Sequence, residues 1–208
     1  MSAKFNFFNY LLHDFIEVDA SDRVLDLVNA VASTFISFKE ELEPPSSAVV
    51  ALSANAGNNL TSSLSCALNC VTDNHLLLEK ICDFLIKNDT TNPSLVYNQF
   101  CALKTMIPGM GHPSIKQEDP RVIYLLDEFK DIAGEKVNFY LELQKFVPVH
   151  INIGGVMCAL LLDAGLPPDH ILYFPLIGRL FGWCEIYRKT KSQYPKVLPS
   201  NKLLSLTQ

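Results

Sequence analysis

The chain has 208 residues, a formal net charge of −5 at pH 7 and a hydrophobic fraction of 49%. This length is enough for one well-packed domain, or for one domain with a small additional lobe. The acidic balance and the absence of a Lys/Arg cluster argue against a nucleic-acid-binding protein. The N-terminal segment lacks the pattern of a secretory signal, and the longest apolar stretch is too short and interrupted to span a bilayer. We therefore expect a cytoplasmic protein that binds neither nucleic acid nor membrane.

The six cysteines lie mostly in apolar, periodic segments of the sequence. Cys66 and Cys70 share a helical face, but no second pair of Cys or His residues stands at a metal-binding spacing. We therefore expect buried, reduced thiols and no metal site.

The first half of the chain shows helical periodicity throughout. Residues 1–19 form an aromatic-rich arm, which we expect to dock onto the rest of the protein. A helix with Asp19 or Ser21 as its N-cap follows and stops at a double proline. Segment 47–70 is rich in Ala, Ser and Asn, small residues that let helices approach closely, and Gly57 is predicted to divide it into two helices.

Helical patterns continue in the second half. "HLLLEKICDFLIKN" is strongly amphipathic, and "PSLVYNQFCALKT" forms a helix with Pro93 in its first turn. Asp119 is expected to cap a helix that starts at Pro120 and stops at Gly134. "EKVNFYLELQKFV" predicts a further helix.

The last third contains two apolar helices. "GGVMCALLLDAG" predicts a buried helix that ends at Gly165, and the segment from Pro167 onwards predicts a long helix that is kinked or broken at Pro175. No convincing alternating strand is found. The fold class predicted from the sequence is all-α.

Three short motifs occur in a specific order. Residues 107–112 read Ile-Pro-Gly-Met-Gly-His and are called the glycine loop below; Asp-Pro-Arg follows at 119–121. "INIGG" then opens the buried helix, and "GRLFGW" lies in the last long helix. Together with the small-residue segment before them, these motifs resemble the citrate synthase superfamily, most closely its citryl-CoA lyase branch, the module at the end of ATP-citrate lyase. The resemblance covers roughly residues 45–190.

The resemblance implies an all-α, citrate-synthase-like helical bundle with a large and a small lobe. The implied substrates are a coenzyme A thioester and a di- or tricarboxylic acid, and the implied chemistry is acyl transfer with formation or cleavage of a carbon–carbon bond. In that chemistry a carboxylate removes a proton from the acyl methyl group while an imidazole stabilises the enol. A second imidazole polarises the ketone, and arginines bind the substrate carboxylates.

Each role is assigned to positions that match the motifs. His112 matches the ketone-polarising histidine, and His75, in "VTDNHLLL", is the candidate for the enol-stabilising imidazole. The resemblance also implies the following binding residues: Arg121 and Arg179 for substrate carboxylates, and Met110, Gly111 and Lys116 for coenzyme A. From the residues alone, His112 could be an incidental loop residue, His75 could simply begin a helix, and the partner of Arg179 could be a substrate or a nearby acidic side chain.

Several positions depart from the family pattern. Gly154 stands where the proton-abstracting aspartate is expected, and Asp163 lies about 13 Å further along the same helix, too far to replace it. His75 is followed by Leu-Leu-Leu instead of Gly-Gly-Ala. Pro113 and Asn55 each replace an arginine, and the upstream substrate histidine is absent. These losses favour a decayed or altered site.

Two functional hypotheses follow. The protein either acts on a coenzyme A thioester and a carboxylic acid, or it is a catalytically inactive homologue that binds ligands or serves as an oligomerisation subunit of a related active enzyme. We expect residues 20–75 and 150–208 to form the large lobe and residues 76–149 the small lobe. The small-residue segment predicts a homodimer, because a two-fold helix interface needs little side-chain bulk.

Overall fold

The computed structural model describes residues 6–36, 45–71, 78–88, 91–112, 115–199 and 201–202. The α-helices in these ranges are α1 (Phe7–Tyr10), α2 (Asp22–Thr34), α3 (Pro45–Asn55), α4 (Leu60–Leu68), α5 (Leu78–Asn88), α6 (Pro93–Leu103), α7 (Pro120–Glu128), α8 (Glu135–Gln144), α9 (Ile153–Asp163) and α10 (Tyr173–Gln193). No strand occurs in the same ranges, although an isolated antiparallel bridge pairs Met110 with Ile151. The all-α prediction is therefore confirmed. None of these helices is long and apolar enough to cross a membrane.

Polar caps fix the starts of several helices. Asn92 and Asp119 each accept a hydrogen bond from the backbone N–H two residues later, directly before Pro93 and Pro120. Proline is favoured in a first turn because its missing N–H has no helical partner there. Of the two predicted caps of α2, Ser21 is the one whose side chain accepts a backbone N–H.

Two predicted helix boundaries are wrong. The helix that starts at Pro120 ends at Glu128, and Gly134 is the N-cap of α8 instead of the stop of α7. Pro175 neither kinks nor breaks a helix, because α10 begins at Tyr173 and Pro175 lies in its first turn. A proline there removes no helical hydrogen bond. The predicted break at Gly57 is correct, since α3 ends before it, Gly57 has a φ of +97° and α4 follows.

The cysteine prediction is only partly right. Cys82 and Cys158 are buried, whereas Cys66 and Cys101 are exposed; all six thiols are free. Cys66 lies at the edge of the contact between α4 and α3, with its sulfur 4.0 Å from Ser53 Oγ, and α4 itself is a short helix that buries only Ser63 and Ala67. Apolar periodicity in a helix this short did not indicate which face is buried.

The chain divides into two compact units. The first comprises Met1–Ala32 and Leu77–Pro175, and the second comprises Ser33–Leu76 and Leu176–Gln208. The predicted lobe boundary near residue 75 falls at the end of a segment of the second unit. The predicted boundary at residue 150 lies inside the first unit. The division into a large and a small lobe stays a prediction.

Helix α9 forms the centre of the first unit. Every residue from Ile153 to Leu161 is buried, as expected for a helix that is apolar on all sides. Helices α5, α7 and α8 pack against it. The N-terminal arm belongs to this unit, where Leu12 is fully buried and the ring of Phe8 lies 6.3 Å from that of Phe174.

Trp183 lies at the centre of the second unit. Its side chain is fully buried and packs with Val50 of α3 and Ala67 of α4. Gly182 has no room for a side chain, because a Cβ there would overlap the carbonyl oxygen of Ile36. The "GRLFGW" motif thus contributes a core tryptophan and a close backbone approach to the same helix.

Candidate active site

The glycine loop (residues 107–112) packs directly on the start of α9. Gly109 has a φ of +76° and Gly111 a φ of +73°, a backbone region that residues with a side chain rarely adopt. A Cβ on Gly109 would overlap Tyr140 Oη and would lie 2.9 Å from Gly155 Cα. The loop therefore needs glycine both for its conformation and for its contact with α9.

Asn152 joins the glycine loop to α9. Its side-chain oxygen accepts the N–H of Gly155 at 3.0 Å, which caps the helix, and its Nδ2 donates to the carbonyl of Gly111 at 2.8 Å. Its backbone N–H donates to the carbonyl of Gly109 at 2.9 Å. These hydrogen bonds hold both loop glycines at a fixed distance from the helix start.

Two further hydrogen bonds complete the support of the loop. Tyr140 Oη donates to the carbonyl of Pro108 at 2.8 Å, and the Gly111 N–H donates to the carbonyl of His150 at 2.7 Å. Burial of Tyr140 raises the pKa of its hydroxyl well above the ordinary value, so the hydroxyl stays protonated and remains a donor. Neither Asn152 nor Tyr140 was singled out from the sequence. Asn152 could have been found as a capping residue before an apolar helix, but the role of Tyr140 depends on a tertiary contact.

His112 ends the glycine loop with a defined ring orientation. Its Nδ1 accepts the backbone N–H of Ile115 at 3.0 Å. Because a backbone N–H can only donate, the neutral ring carries its proton on Nε2. An imidazole in this tautomer presents an N–H donor, which is the group needed to polarise a ketone oxygen.

Arg121 is oriented by Asp119. The Arg121 Nε lies 2.9 Å from Asp119 Oδ1, and an Nη lies 2.5 Å from Oδ2. The guanidinium and the carboxylate therefore form a bidentate ion pair. Asp119 also accepts the backbone N–H of Arg121 as the cap of α7. Burial raises the pKa of the Asp119 carboxyl, but the hydrogen bonds and charge of Arg121 outweigh burial and lower the pKa overall.

The residues predicted to meet coenzyme A differ in their surroundings. Met110 is 3% exposed, so its side chain belongs to the core. Gly111 uses both its N–H and its carbonyl in hydrogen bonds within the first unit. Lys116 is exposed, with its Nζ 3.4 Å from the carbonyl of His112. Among these three residues, Lys116 is the one with an accessible polar side chain.

Arg179 lies in the second unit. Its guanidinium sits 5.3 Å from the centre of the Phe35 ring, and the residue is 6% exposed. Stacking over an aromatic face accounts for part of the stabilisation of this buried cation. His112 and Arg121 lie in the first unit, so the predicted convergence of the three side chains on one cleft stays a prediction. His75 lies outside the described residues.

Gly154 leaves the expected base position without a carboxylate. It is buried in the first turn of α9. Asp163 cannot act in its place, because its carboxylate accepts the backbone N–H groups of Gly134, Lys136 and Val137 at 2.7–3.1 Å. Asp163 therefore caps the N-terminus of α8.

The described residues contain no candidate metal cluster, and one surface pocket lies away from the predicted site residues. In the described ranges, no group of three or more His, Cys, Asp or Glu side chains could hold a metal ion. A surface pocket of about 630 Å³ in the first unit lies between the start of α6 and α8, and it contains none of the predicted site residues. Its lining residues are Thr91, Asn92, Pro93, Glu135, Asn138, Phe139 and Glu142.

The fold is shared with solved citrate-synthase-type structures. A citryl-CoA lyase from Hydrogenobacter thermophilus superposes with a TM-score of 0.81 at 20% identity, covering 96% of this chain and 82% of that one. An ATP citrate lyase from Methanosaeta concilii, in complex with (3S)-citryl-CoA, superposes with a TM-score of 0.79 at 14% identity. The match covers 94% of this chain and 36% of that one. A citrate synthase from Thermoplasma acidophilum, with carboxymethyl coenzyme A and oxaloacetate, superposes with a TM-score of 0.73 at 16% identity. The match covers 95% of this chain and 56% of that one.

By sequence alone, the chain matches no protein-family model and no curated protein. At identities of 14–20%, the structural likeness establishes the fold. The chain has the fold of the citrate synthase superfamily, and the resemblance inferred from its motifs is confirmed at that level.

Proposed function

We propose that this protein binds a coenzyme A thioester together with a di- or tricarboxylic acid, and that it does not form or cleave a carbon–carbon bond by the proton-abstraction chemistry of its fold relatives. The single observation that carries this proposal is Gly154. The position expected to supply the base has no side chain, and the carboxylate of Asp163 is bound to three backbone N–H groups.

The binding half of the proposal is supported by His112 and Arg121. The hydrogen bond from Ile115 leaves the proton of the neutral imidazole on Nε2, and Asp119 orients the guanidinium of Arg121. These groups suit a ketone oxygen and a carboxylate. Structures of the same fold contain citryl-CoA, or carboxymethyl coenzyme A with oxaloacetate.

The size of the catalytic loss can be stated in general terms. Removal of a general base typically costs about 10²–10⁴-fold in rate, and loss of a stabilising donor costs about 10²–10³-fold. The glycine at position 154 removes the base. The Leu-Leu-Leu sequence after His75 removes the small residues expected at the enol-stabilising turn. Together these changes predict a turnover too low to sustain a metabolic flux.

Ligand-dependent thermal unfolding tests the binding half. A ligand at 100 times its Kd stabilises the folded form by about 2.7 kcal/mol, which corresponds to a rise in Tm of roughly 5–10 °C for a chain of this length. We expect rises with coenzyme A, acetyl-CoA, citrate or oxaloacetate. Arg121→Gln should reduce the rise with the acids, measured against its own unliganded Tm. Arg188→Gln, which breaks an exposed arginine–carboxylate pair with Glu185, should leave the rise unchanged.

Turnover assays test the catalytic half separately. Incubation with acetyl-CoA and oxaloacetate, or with citryl-CoA, should release no free thiol and no cleavage product above the uncatalysed rate. Clear turnover by the wild-type chain would end the non-catalytic part of the proposal. The absence of any thermal shift with all four ligands would end the binding part.

A role as an oligomerisation subunit is supported by one feature of the second unit. Helix α4 buries Ser63 and Ala67 but leaves Leu60 37% exposed and Leu68 40% exposed. We propose that these two exposed leucines form a homodimer contact. Light scattering should give a dimer, and Leu68→Glu should give a monomer. Leu141→Glu, at an equally exposed position on α8, should leave the dimer intact; a monomeric wild type would contradict the proposal.

A further inference from the structure

The space beside Gly154 is filled by apolar side chains of α5. A Cβ built on Gly154 would lie 3.2 Å from Ile81 Cδ1 and 3.5 Å from Leu78 Cδ2. Leu78 is 2% exposed and Ile81 is 4% exposed. A Cβ already contacts both groups, so a longer side chain that extended toward α5 would have to displace at least one of them.

The polar atom nearest to this position would also oppose a carboxylate. The side-chain oxygen of Asn152 lies 3.2 Å from the Cβ site. Its orientation is fixed, because Oδ1 accepts the N–H of Gly155 and Nδ2 donates to Gly111. The groups nearest to the Cβ site are thus an acceptor oxygen and two methyl groups, none of which compensates for the burial of an ionised carboxylate.

The sequence position of Leu78 connects this packing to the family pattern. In the resemblance described above, His75 and the next three residues stand where the related enzymes have His-Gly-Gly-Ala, so Leu78 replaces a small residue. Leu78 contacts the position of the lost aspartate across 76 residues of sequence. The two departures from the family pattern meet at one point of the structure.

We infer that Gly154 and Leu78 are a coupled pair, in which the leucine, together with Ile81, occupies the space that an acidic side chain at position 154 requires. The absence of a base is therefore maintained by packing, and restoring the aspartate alone does not restore a stable site. The inference concerns the same position as the proposed function, but it does not require that the protein bind coenzyme A.

A double-mutant cycle on stability, without any ligand, tests the coupling. Gly154→Asp in the wild-type background should lower Tm by about 5–10 °C, because the new carboxylate is packed against Ile81 and Leu78. Leu78→Ala should lower Tm by a similar amount, because it leaves a cavity. The double variant should unfold at a Tm no lower than the less stable single variant, so the losses are far from additive.

The matched control uses the same substitution on the same helix. Leu85 is fully buried on α5 and stands about 10 Å along the helix from Leu78. Leu85→Ala combined with Gly154→Asp should lose stability additively. The inference would be overturned if the losses were additive in both cycles. It would also be overturned if the variant carrying both Gly154→Asp and Leu78→Ala were less stable than either single variant.

A second substitution keeps the test informative if Gly154→Asp does not fold. Gly154→Asn has the same size without the charge and should show the same coupling to Leu78→Ala. Because all of these measurements are made without ligand, a failure of coenzyme A binding would leave them unaffected. A failure of the coupling would likewise leave the ligand-dependent thermal shifts unaffected.

Discussion

The backbones of Gly109 and Gly155 touch, so that a Cβ on Gly155 would lie 2.5 Å from the carbonyl oxygen of Gly109. The same carbonyl accepts the N–H of Asn152. The glycine loop and the first turn of α9 therefore fit together as one rigid corner of the first unit. Because His112 follows this corner directly, the close packing of two glycines determines where its imidazole lies.

Alanine substitution at two adjacent glycines tests this packing. In Gly155→Ala the new methyl group meets the fixed carbonyl of Gly109, and we expect a loss of about 3 kcal/mol or more. In Gly154→Ala the methyl group meets the mobile ends of Leu78 and Ile81, and alanine favours the helix. We expect that variant to stay within about 1 kcal/mol of the wild type. Urea unfolding measures both values, and equal losses would contradict the structure.

The tautomer of His112 is a second testable feature. With the Ile115 N–H donating to Nδ1, the neutral ring should carry its proton on Nε2. Nitrogen-15 NMR of the imidazole distinguishes the two tautomers, and the His112→Gln variant identifies which signals belong to this ring. A proton on Nδ1 in the neutral ring would show that the hydrogen bond does not form in solution.

Asp119 combines two stabilising roles that substitution can separate. Asp119→Ala removes both the helix cap and the partner of Arg121, and we expect a loss of about 2–4 kcal/mol in the free energy of unfolding. Asp119→Asn keeps a capping oxygen but removes the charge, so its loss should be smaller. Chemical denaturation near neutral pH gives both values. An asparagine variant as unstable as the alanine variant would show that the cap contributes little.

How far the sequence predicts this fold depends on the range of each interaction. The starts of α6 and α7 follow from Asn92-Pro93 and Asp119-Pro120, where cap and proline are neighbours in the chain. The end of α7 does not follow from Gly134. The chain leaves the helix at Phe129, whose ring is buried beneath the guanidinium of Arg23, a contact that periodicity alone cannot predict.

The candidate site also contains both local contacts and contacts between residues distant in sequence. The Asp119–Arg121 pair and the His112–Ile115 hydrogen bond are local, but the motifs predicted roles for His112 and Arg121 without predicting these partners. The packing of Leu78 against Gly154 and the hydrogen bond of Tyr140 to Pro108 join residues distant in sequence. A loss of the base was visible in the sequence, but the side chain that fills its space was not.

Arg23 connects the start of α2 to the end of α7 in the first unit. Its Nε and one Nη lie 2.8 Å from the two carboxylate oxygens of Asp131, and a further Nη contacts Glu128 at 3.2 Å. The hydrogen bonds from Arg23 lower the pKa of Asp131 to about 2, although burial acts in the opposite direction. The same bonds raise the pKa of Arg23, so it stays charged at every pH of interest.

The Arg23–Asp131 ion pair predicts how the stability of the fold depends on pH. Because the pKa of Asp131 is lower in the folded protein than its ordinary value of 3.8, the unfolded chain binds the proton more readily. The pair therefore stabilises the fold above about pH 4, and its contribution disappears as the pH falls from about 4 to about 2. We expect Asp131→Asn to be less stable than the wild type at pH 6 and equal to it near pH 2. Asp127→Asn, in the last turn of α7, serves as the control. A difference between wild type and Asp131→Asn that is unchanged across this pH range would contradict the ion pair.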